Sequence, residues 1–309
     1  MPKAIELMAE AFKELSVGDG EVPVRHFLEH KATETTGLFM PALLPQSNAF
    51  GIKVVGLNPQ NPNRNLPLIH ASILVLDANT GQVSALTEGA WITALRTGAG
   101  AGLATKLLAR QDAKKLLVFG AGTQAKTQIE AVCSVREIDS VKVISRTKEK
   151  AKAFCAKMSV VLNKPVSLGD LSDLKDADII CTATTSSTPL FEHRQVAKGV
   201  HINAVGAFTS EMAEVPAETL AAAKIYVDRT DACLEEGGDV IQAIRKGAIA
   251  AEDICGEIGA LAAGKIQGRN TSEDITFFKS VGSAAQDMAV AKFVVKKAEE
   301  LNLGKRIQL

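Results

Sequence analysis

The hydrophobic pattern of the chain changes period near residue 113. Before it, MPKAIELMAEAFKELS sets Ile5, Met8 and Phe12 on one stripe, the spacing of an amphipathic helix. Short apolar runs broken by Pro and Gly follow: GLFMPALLP, FGIKVVGL and LIHASILVLD. In ASILVLDANTGQVSALTE, two strand-like runs flank Asp77-Ala-Asn-Thr-Gly81, which predicts a hairpin. WITALRTGAGAGLATKLLAR predicts a helix whose small residues admit another backbone, or a ligand, at close range. Beyond residue 113, KLLVFG, VKVIS, ADIICTAT, VHINAVG and AKIYVDR read as strands, and TQAKTQIEAVCSV and TKEKAKAFCAKMS as helices. Near-continuous apolar strands separated by helices form parallel sheets covered on both faces. The pattern predicts an α/β protein with a doubly wound parallel sheet over 113–284. A second, α+β domain takes 1–112 and, through the amphipathic tail AAQDMAVAKFVVKKAEELNL, 285–309.

Composition narrows the function. Lys+Arg and Asp+Glu balance at 35 each, and aromatic residues make up 4%. Neither a clustered basic face nor a stacking surface is expected, so nucleic acid and membrane surfaces are poor partners. The N-terminus mixes charge with apolar residues, unlike a signal peptide, and no uncharged apolar run approaches the ~20 residues of a bilayer span. The five cysteines are scattered without a CxxC pair, as in a cytoplasmic protein with reduced thiols. No two His stand at i, i+4 on a helix, so no metal site is expected.

LLVFGAGTQAK carries the first candidate chemistry. Gly120-x-Gly122-x-x-Ala125 follows a strand and opens a helix, as a dinucleotide-binding Rossmann unit requires. The first Gly allows the turn, the second leaves room for a pyrophosphate, and Ala125 lets helix and strand pack closely. Gly120, Ala121, Gly122, Thr123 and Gln124 are thus cofactor candidates. At the end of the next strand stands Ser145-Arg146-Thr147-Lys148, where an NAD enzyme usually has an acidic residue. Arg146 can pair with a 2′-phosphate, and Ser145 and Thr147 can donate to it. This predicts NADP(H), with NAD(H) as the second choice.

Three basic residues stand in unusual settings: Arg25 in a loop after Pro23, Lys53 inside FGIKVVGL, and Arg96 among small residues. A lysine in an apolar run needs a carboxylate, from the protein or from a ligand. Together the three suggest an anion site facing the nucleotide. His70, beside an apolar run, reads as a hydrogen-bonded interior residue. Glu235-Glu236-Gly237-Gly238-Asp239 reads as a glycine-broken loop.

Six stretches, GIKVVGLNPQN, LDANTGQVSALTEGAWITALRTGAGAG, FGAGTQA, VISRT, HINAVGA and FFKSVGSAAQD, occur in an order that resembles the ornithine cyclodeaminase/mu-crystallin family along essentially the whole chain. The resemblance implies a homodimer and a substrate-binding second domain. It implies that Lys53 and Arg96 contact a substrate carboxylate, with Arg25 nearby, and that Arg96 and Thr97 border the pyrophosphate. Thr182, Ala183, Thr184 and Val205 would approach the cofactor, as would Phe278, Ser280, Val281 and Gly282. Cyclodeaminases of the family resemble V-G-[AG]-D where this chain has Val205-Gly206-Ala207-Phe208. Phe208 accepts no proton, and with Met40 it suits a compact apolar ring. The expected activity is NADPH-dependent reduction of cyclic imino acids, Δ1-pyrroline-2-carboxylate or Δ1-piperideine-2-carboxylate, with Lys53 and Arg96 as catalytic residues. Ornithine cyclodeamination, alanine dehydrogenation and a non-enzymatic, crystallin-like role are the alternatives.

Overall fold

The computed structural model describes residues 1–307. Helix α1 (Pro2–Val17) buries Ile5, Met8 and Phe12. Five strands follow: β1 (His26–His30), β2 (Thr35–Leu44), β3 (Ala49–Leu57), β4 (Ile69–Leu76) and β5 (Val83–Glu88). They form an antiparallel meander in sequence order. The hairpin predicted between β4 and β5 is present. Asp77 Oδ1 accepts from the backbone N–H groups of Asn79 and Thr80, and Gly81 takes φ +73°. Glu88 then caps α2 (Gly89–Leu108) by accepting from Ala90 and Trp91 N–H.

The parallel part runs β6 (Lys115–Phe119), α3 (Thr123–Val135), β7 (Ser140–Ile144), α4 (Lys148–Leu162), β8 (Val166–Leu168), β9 (Ile179–Thr182) and β10 (His201–Ala204). It continues with α5 (Ala217–Ala221), β11 (Ala223–Val227), α6 (Thr230–Glu236), α7 (Gly238–Arg245), β12 (Ile254–Glu257), α8 (Ile258–Ala262) and β13 (Ile275–Lys279). The strand order is β12-β11-β13-β10-β9-β6-β7-β8, and every pairing is parallel. Successive side chains of a strand point to opposite faces. On β6, Leu117 and Phe119 enter one hydrophobic core and Leu116 and Val118 another. The sheet is therefore doubly wound, as the sequence predicts. Helix α9 (Ala284–Glu300) leaves β13 and packs on α1, α2 and strands β2–β4.

The small residues of α2 serve backbone packing. A Cβ at Gly98 would lie 2.5 Å from the Thr127 carbonyl of α3, and one at Gly102 would meet Ile5 and Ala131. Two sequence expectations are corrected. His70 is exposed, because it pairs with Gly56 on the face of the meander turned away from α9. Residues 235–239 are not a loop. Gly237 joins α6 directly to α7, and Asp239 is buried in the first turn of α7.

Candidate functional site

Two of the concavities at the carboxyl ends of the parallel strands, where ligands of such sheets bind, gather the candidate residues. The larger is a cleft of about 720 Å³ around the glycine turn. Gly120 takes φ +114°, and a Cβ there would lie 2.4 Å from the carbonyl oxygen of Ala183. Only glycine fits both constraints. Gly122, at the N-cap of α3, faces open space with nothing within 4 Å of a built Cβ. The first N–H groups of α3 lack intrahelical partners, and no side chain caps them. Such a helix start attracts phosphate. Gln124 Oε1, on the same turn, is buried without a hydrogen bond among the described residues. This cradle fits a dinucleotide.

Ser145, Arg146 and Thr147 line the far end of the cleft, with Lys150 one turn further along α4. Thr147 occupies the N-cap position of α4, yet its hydroxyl makes no capping bond. Arg146 is exposed. Ala183, Thr184, Val205 and Phe208 line the opposite wall, and Phe208 is 46% exposed.

A buried carboxylate holds that wall in place. Glu214, fully buried, accepts from Thr184 N–H at 2.6 Å, Gly206 N–H at 2.9 Å and the Thr182 hydroxyl at 2.8 Å. It thereby ties the end of β9 to the end of β10. Asp239 accepts from the backbone N–H of Glu214 and Val215 through one oxygen, and pairs with Lys279 at 2.9 Å through the other. Burial, and then the nearby Asp239 charge, raise the Glu214 carboxyl above its ordinary range, and Lys279 opposes them.

The cations lie on the other side of the Gly282 bend. Lys53 Nζ stands 2.5 Å from Asp287 Oδ2, and Arg96 Nε donates to Asp287 Oδ1 at 3.1 Å. Arg96 Nη1 also donates to Gln286 Oε1 at 2.9 Å. Strands β2 and β3 supply Met40 and Lys53 as register partners, α2 supplies Arg96, and α9 supplies the acid. The carboxylate that Lys53 requires thus comes from the protein. Two cations share one anion, leaving a buried net charge of +1. Burial lowers Lys53 to about 8; Asp287 opposes this, while Arg96 and Arg25 add to it. Burial alone would raise the Asp287 carboxyl, but Arg96 and Lys53 pull it below the usual carboxylate range.

Gly282, at φ +84°, brings only backbone against this cluster: a Cβ would lie 2.4 Å from an Arg96 nitrogen. Asp228 fixes the bend by accepting from the Ser280 hydroxyl and from Val281 and Gly282 N–H. On its outer side is a second cavity of about 60 Å³, lined among others by Arg25, Met40, Glu236 and Gly282. Arg25 Nη2 donates to the Gly282 carbonyl at 3.0 Å, and its Nε lies 3.0 Å from Glu236 Oε1.

The structure therefore brings Gly120, Ala121, Gly122, Gln124, Ser145, Arg146, Thr147, Ala183, Thr184 and Val205 to one cleft. Thr123 stands at the start of α3. Thr182 and Ser280 spend their hydroxyls on buried acids, Phe278 lies in the core, and Thr97 is buried in α2. Val281 is held through its backbone at the Gly282 bend. Phe208 lines the nucleotide cleft, while Met40 lines the smaller cavity. Asp287 and Asp228 escaped sequence reasoning. The one signal available for Asp287 was that Lys53 and Arg96 each needed a partner.

The family described as ornithine cyclodeaminase/mu-crystallin matches residues 1–302. A Δ1-pyrroline-2-carboxylate reductase of Bacillus cereus is 40% identical over 311 residues, covering 100% of this chain and 95% of the relative. The solved Δ1-pyrroline-2-carboxylate reductase of Thermococcus litoralis, in complex with NADH and L-proline, superposes with a TM-score of 0.94 at 38% identity, over 99% of this chain and 96% of that one. An archaeal alanine dehydrogenase dimer with bound NAD gives a TM-score of 0.94 at 34% identity, over 100% and 95% of the two chains.

Proposed function

Because the chain belongs to the ornithine cyclodeaminase/mu-crystallin family, we propose that it reduces cyclic imino acids with NAD(P)H, converting Δ1-pyrroline-2-carboxylate to L-proline and accepting Δ1-piperideine-2-carboxylate. The observation that carries this reading is the buried Lys53–Asp287–Arg96 cluster. Its net charge of +1 lies one glycine away from a small cavity, in a chain that aligns end to end with a relative of that activity. When bound, the reduced nicotinamide supplies a hydride. Gly120, Gly122 and the open start of α3 would hold its pyrophosphate. Lys53 and Arg96 balance a substrate carboxylate and fix the ring. The substrate nitrogen is already protonated, so hydride addition to C2 yields the secondary amine without a further acid. Positioning and charge complementarity then supply most of the catalysis.

Arg146, with Lys150 beside it and no acid in Ser145-Arg146-Thr147, supports NADP(H) as the preferred cofactor. The relatives' bound NADH and NAD support NAD(H) as a usable alternative. A homodimer is supported by the dimeric relative and by the outer face of the meander. There Leu28, Val54 and Leu86 are 66, 38 and 66% exposed. Alanine dehydrogenation is the second reading, favoured by the likeness to the archaeal enzyme. Loss of reduced-cofactor absorbance with Δ1-pyrroline-2-carboxylate and no ammonia tests the first. Turnover only with pyruvate plus ammonia would replace it with the second.

A further inference from the structure

The small cavity has a charge arrangement that carboxylate clamping alone does not use. Its charged lining residues are Arg25, Arg229, Asp231, Glu235 and Glu236, two positive and three negative. Each arginine there already has an acid: Arg25 Nε lies 3.0 Å from Glu236, and Arg229 Nε donates to Asp231 at 2.9 Å. Behind Gly282 and Met40 lie Lys53, Arg96 and Asp287, two positive and one negative. The cavity thus has a wall of net charge −1 facing a floor of net charge +1. Arg25 and Glu236 are the most enclosed pair of the wall, with side chains 17 and 18% exposed, whereas the Asp231 side chain is 58% exposed. Such a dipole matches a ligand with one carboxylate and one protonated nitrogen. A second carboxylate would meet Glu236 with no unpaired cation at hand.

We propose that Glu236 is a specificity-determining residue of this cavity, facing the protonated ring nitrogen of the imino acid and excluding substrates that carry a second carboxylate. The inference rests on the reductase reading and adds the substrate's charge class to it. Glu236 also holds the Arg25 guanidinium, whose other arm donates to the Gly282 carbonyl, so it braces the bend that separates cavity from cluster.

The test uses three substrates with the intact protein: Δ1-pyrroline-2-carboxylate, its 5-carboxy derivative, and the 5-carboxamide, which has the size of the diacid but one charge fewer. C5 adjoins the nitrogen, so its substituent lies on the side assigned to Glu236. Wild type is expected to turn over the amide at least about ten times more efficiently than the diacid, since like charges brought together out of water repel. Glu236→Gln should bring that ratio to within about twofold, and Glu236→Asp should restore it. Equal handling of amide and diacid by wild type overturns the proposal: turnover of both shows that no exclusion exists, and refusal of both assigns it to size. That arm decides even if Glu236→Gln does not fold. An unchanged ratio in a folded Glu236→Gln overturns it as well. Should wild type fail to reduce the parent compound, the reductase reading falls. The amide-to-diacid ratio is then read as binding, by protection of the cofactor-loaded protein against thermal unfolding, and stands or falls on its own.

Discussion

At the residue scale the decisive group is Lys53. Removing it leaves Arg96 paired with Asp287, so the fold keeps its buried acid compensated while the site loses its net positive charge. Lys53→Ala should cost about 3 kcal/mol of transition-state binding, roughly a hundredfold in kcat/KM, with thermal stability little changed. Steady-state kinetics with Δ1-pyrroline-2-carboxylate checks this, and near-normal turnover would remove Lys53 from the mechanism. The same residue sets a pH dependence. With its folded value near 8, Lys53 loses its charge as pH rises through 8, and kcat/KM should fall along that limb. Stability runs the other way. An exposed lysine titrates near 10.5, so between about 8 and 10.5 the unfolded chain binds more protons and this group's contribution rises with pH. Opposite slopes of activity and of melting temperature across that window are the expected signature. Arg146 allows a simpler test: Arg146→Asp should raise the KM for NADPH far more than that for NADH. An unchanged preference would show that the 2′-phosphate is read elsewhere.

At the scale of elements, helices and strands were legible because their periods differ, and the glycine turn was legible because strand, turn and helix occur together. Gly120 illustrates why that turn tolerates no side chain. Its φ of +114° strains any L residue, and a Cβ would lie 2.4 Å from the carbonyl of Ala183, just past the neighbouring strand β9. Gly120→Ala should lower stability by about 2 kcal/mol and weaken cofactor binding at least tenfold, read by thermal unfolding and by cofactor titration. A variant that keeps full cofactor affinity would show that the β6–α3 turn does not touch the dinucleotide. Two elements were misread for identifiable reasons. Paired acids and glycines at 235–239 look like a loop, yet Asp239 is drawn inside by Lys279 of β13, a strand far away in sequence. His70 looks interior because apolar residues surround it, but its register with Gly56 turns it outward.

At the scale of the whole molecule, legibility fails where partners are distant. Asp287 lies 234 residues from Lys53, and β13 inserts between β10 and β11, an order that no local pattern encodes. The meander's outer face belongs to this scale as well. In β3 and β4, Lys53 and Ile73 point to the buried side, so the register places Ile52, Val54 and Leu74 on the other. Leu28 of β1 and Leu86 of β5 extend that apolar surface, each 66% exposed. An apolar face of this extent on a single chain calls for a cover, and in the proposed homodimer a second copy would supply one by two-fold symmetry. Leu86→Glu would place a charge within such an interface, on its edge strand β5. The variant should sediment as a monomer at concentrations where the wild type sediments as a dimer. Leu86 lies on the face opposite Lys53, so the buried clamp should remain assembled and cofactor binding should persist. A wild type that sediments as a monomer would remove the dimer. A Leu86→Glu variant that still dimerises would move the interface to another surface.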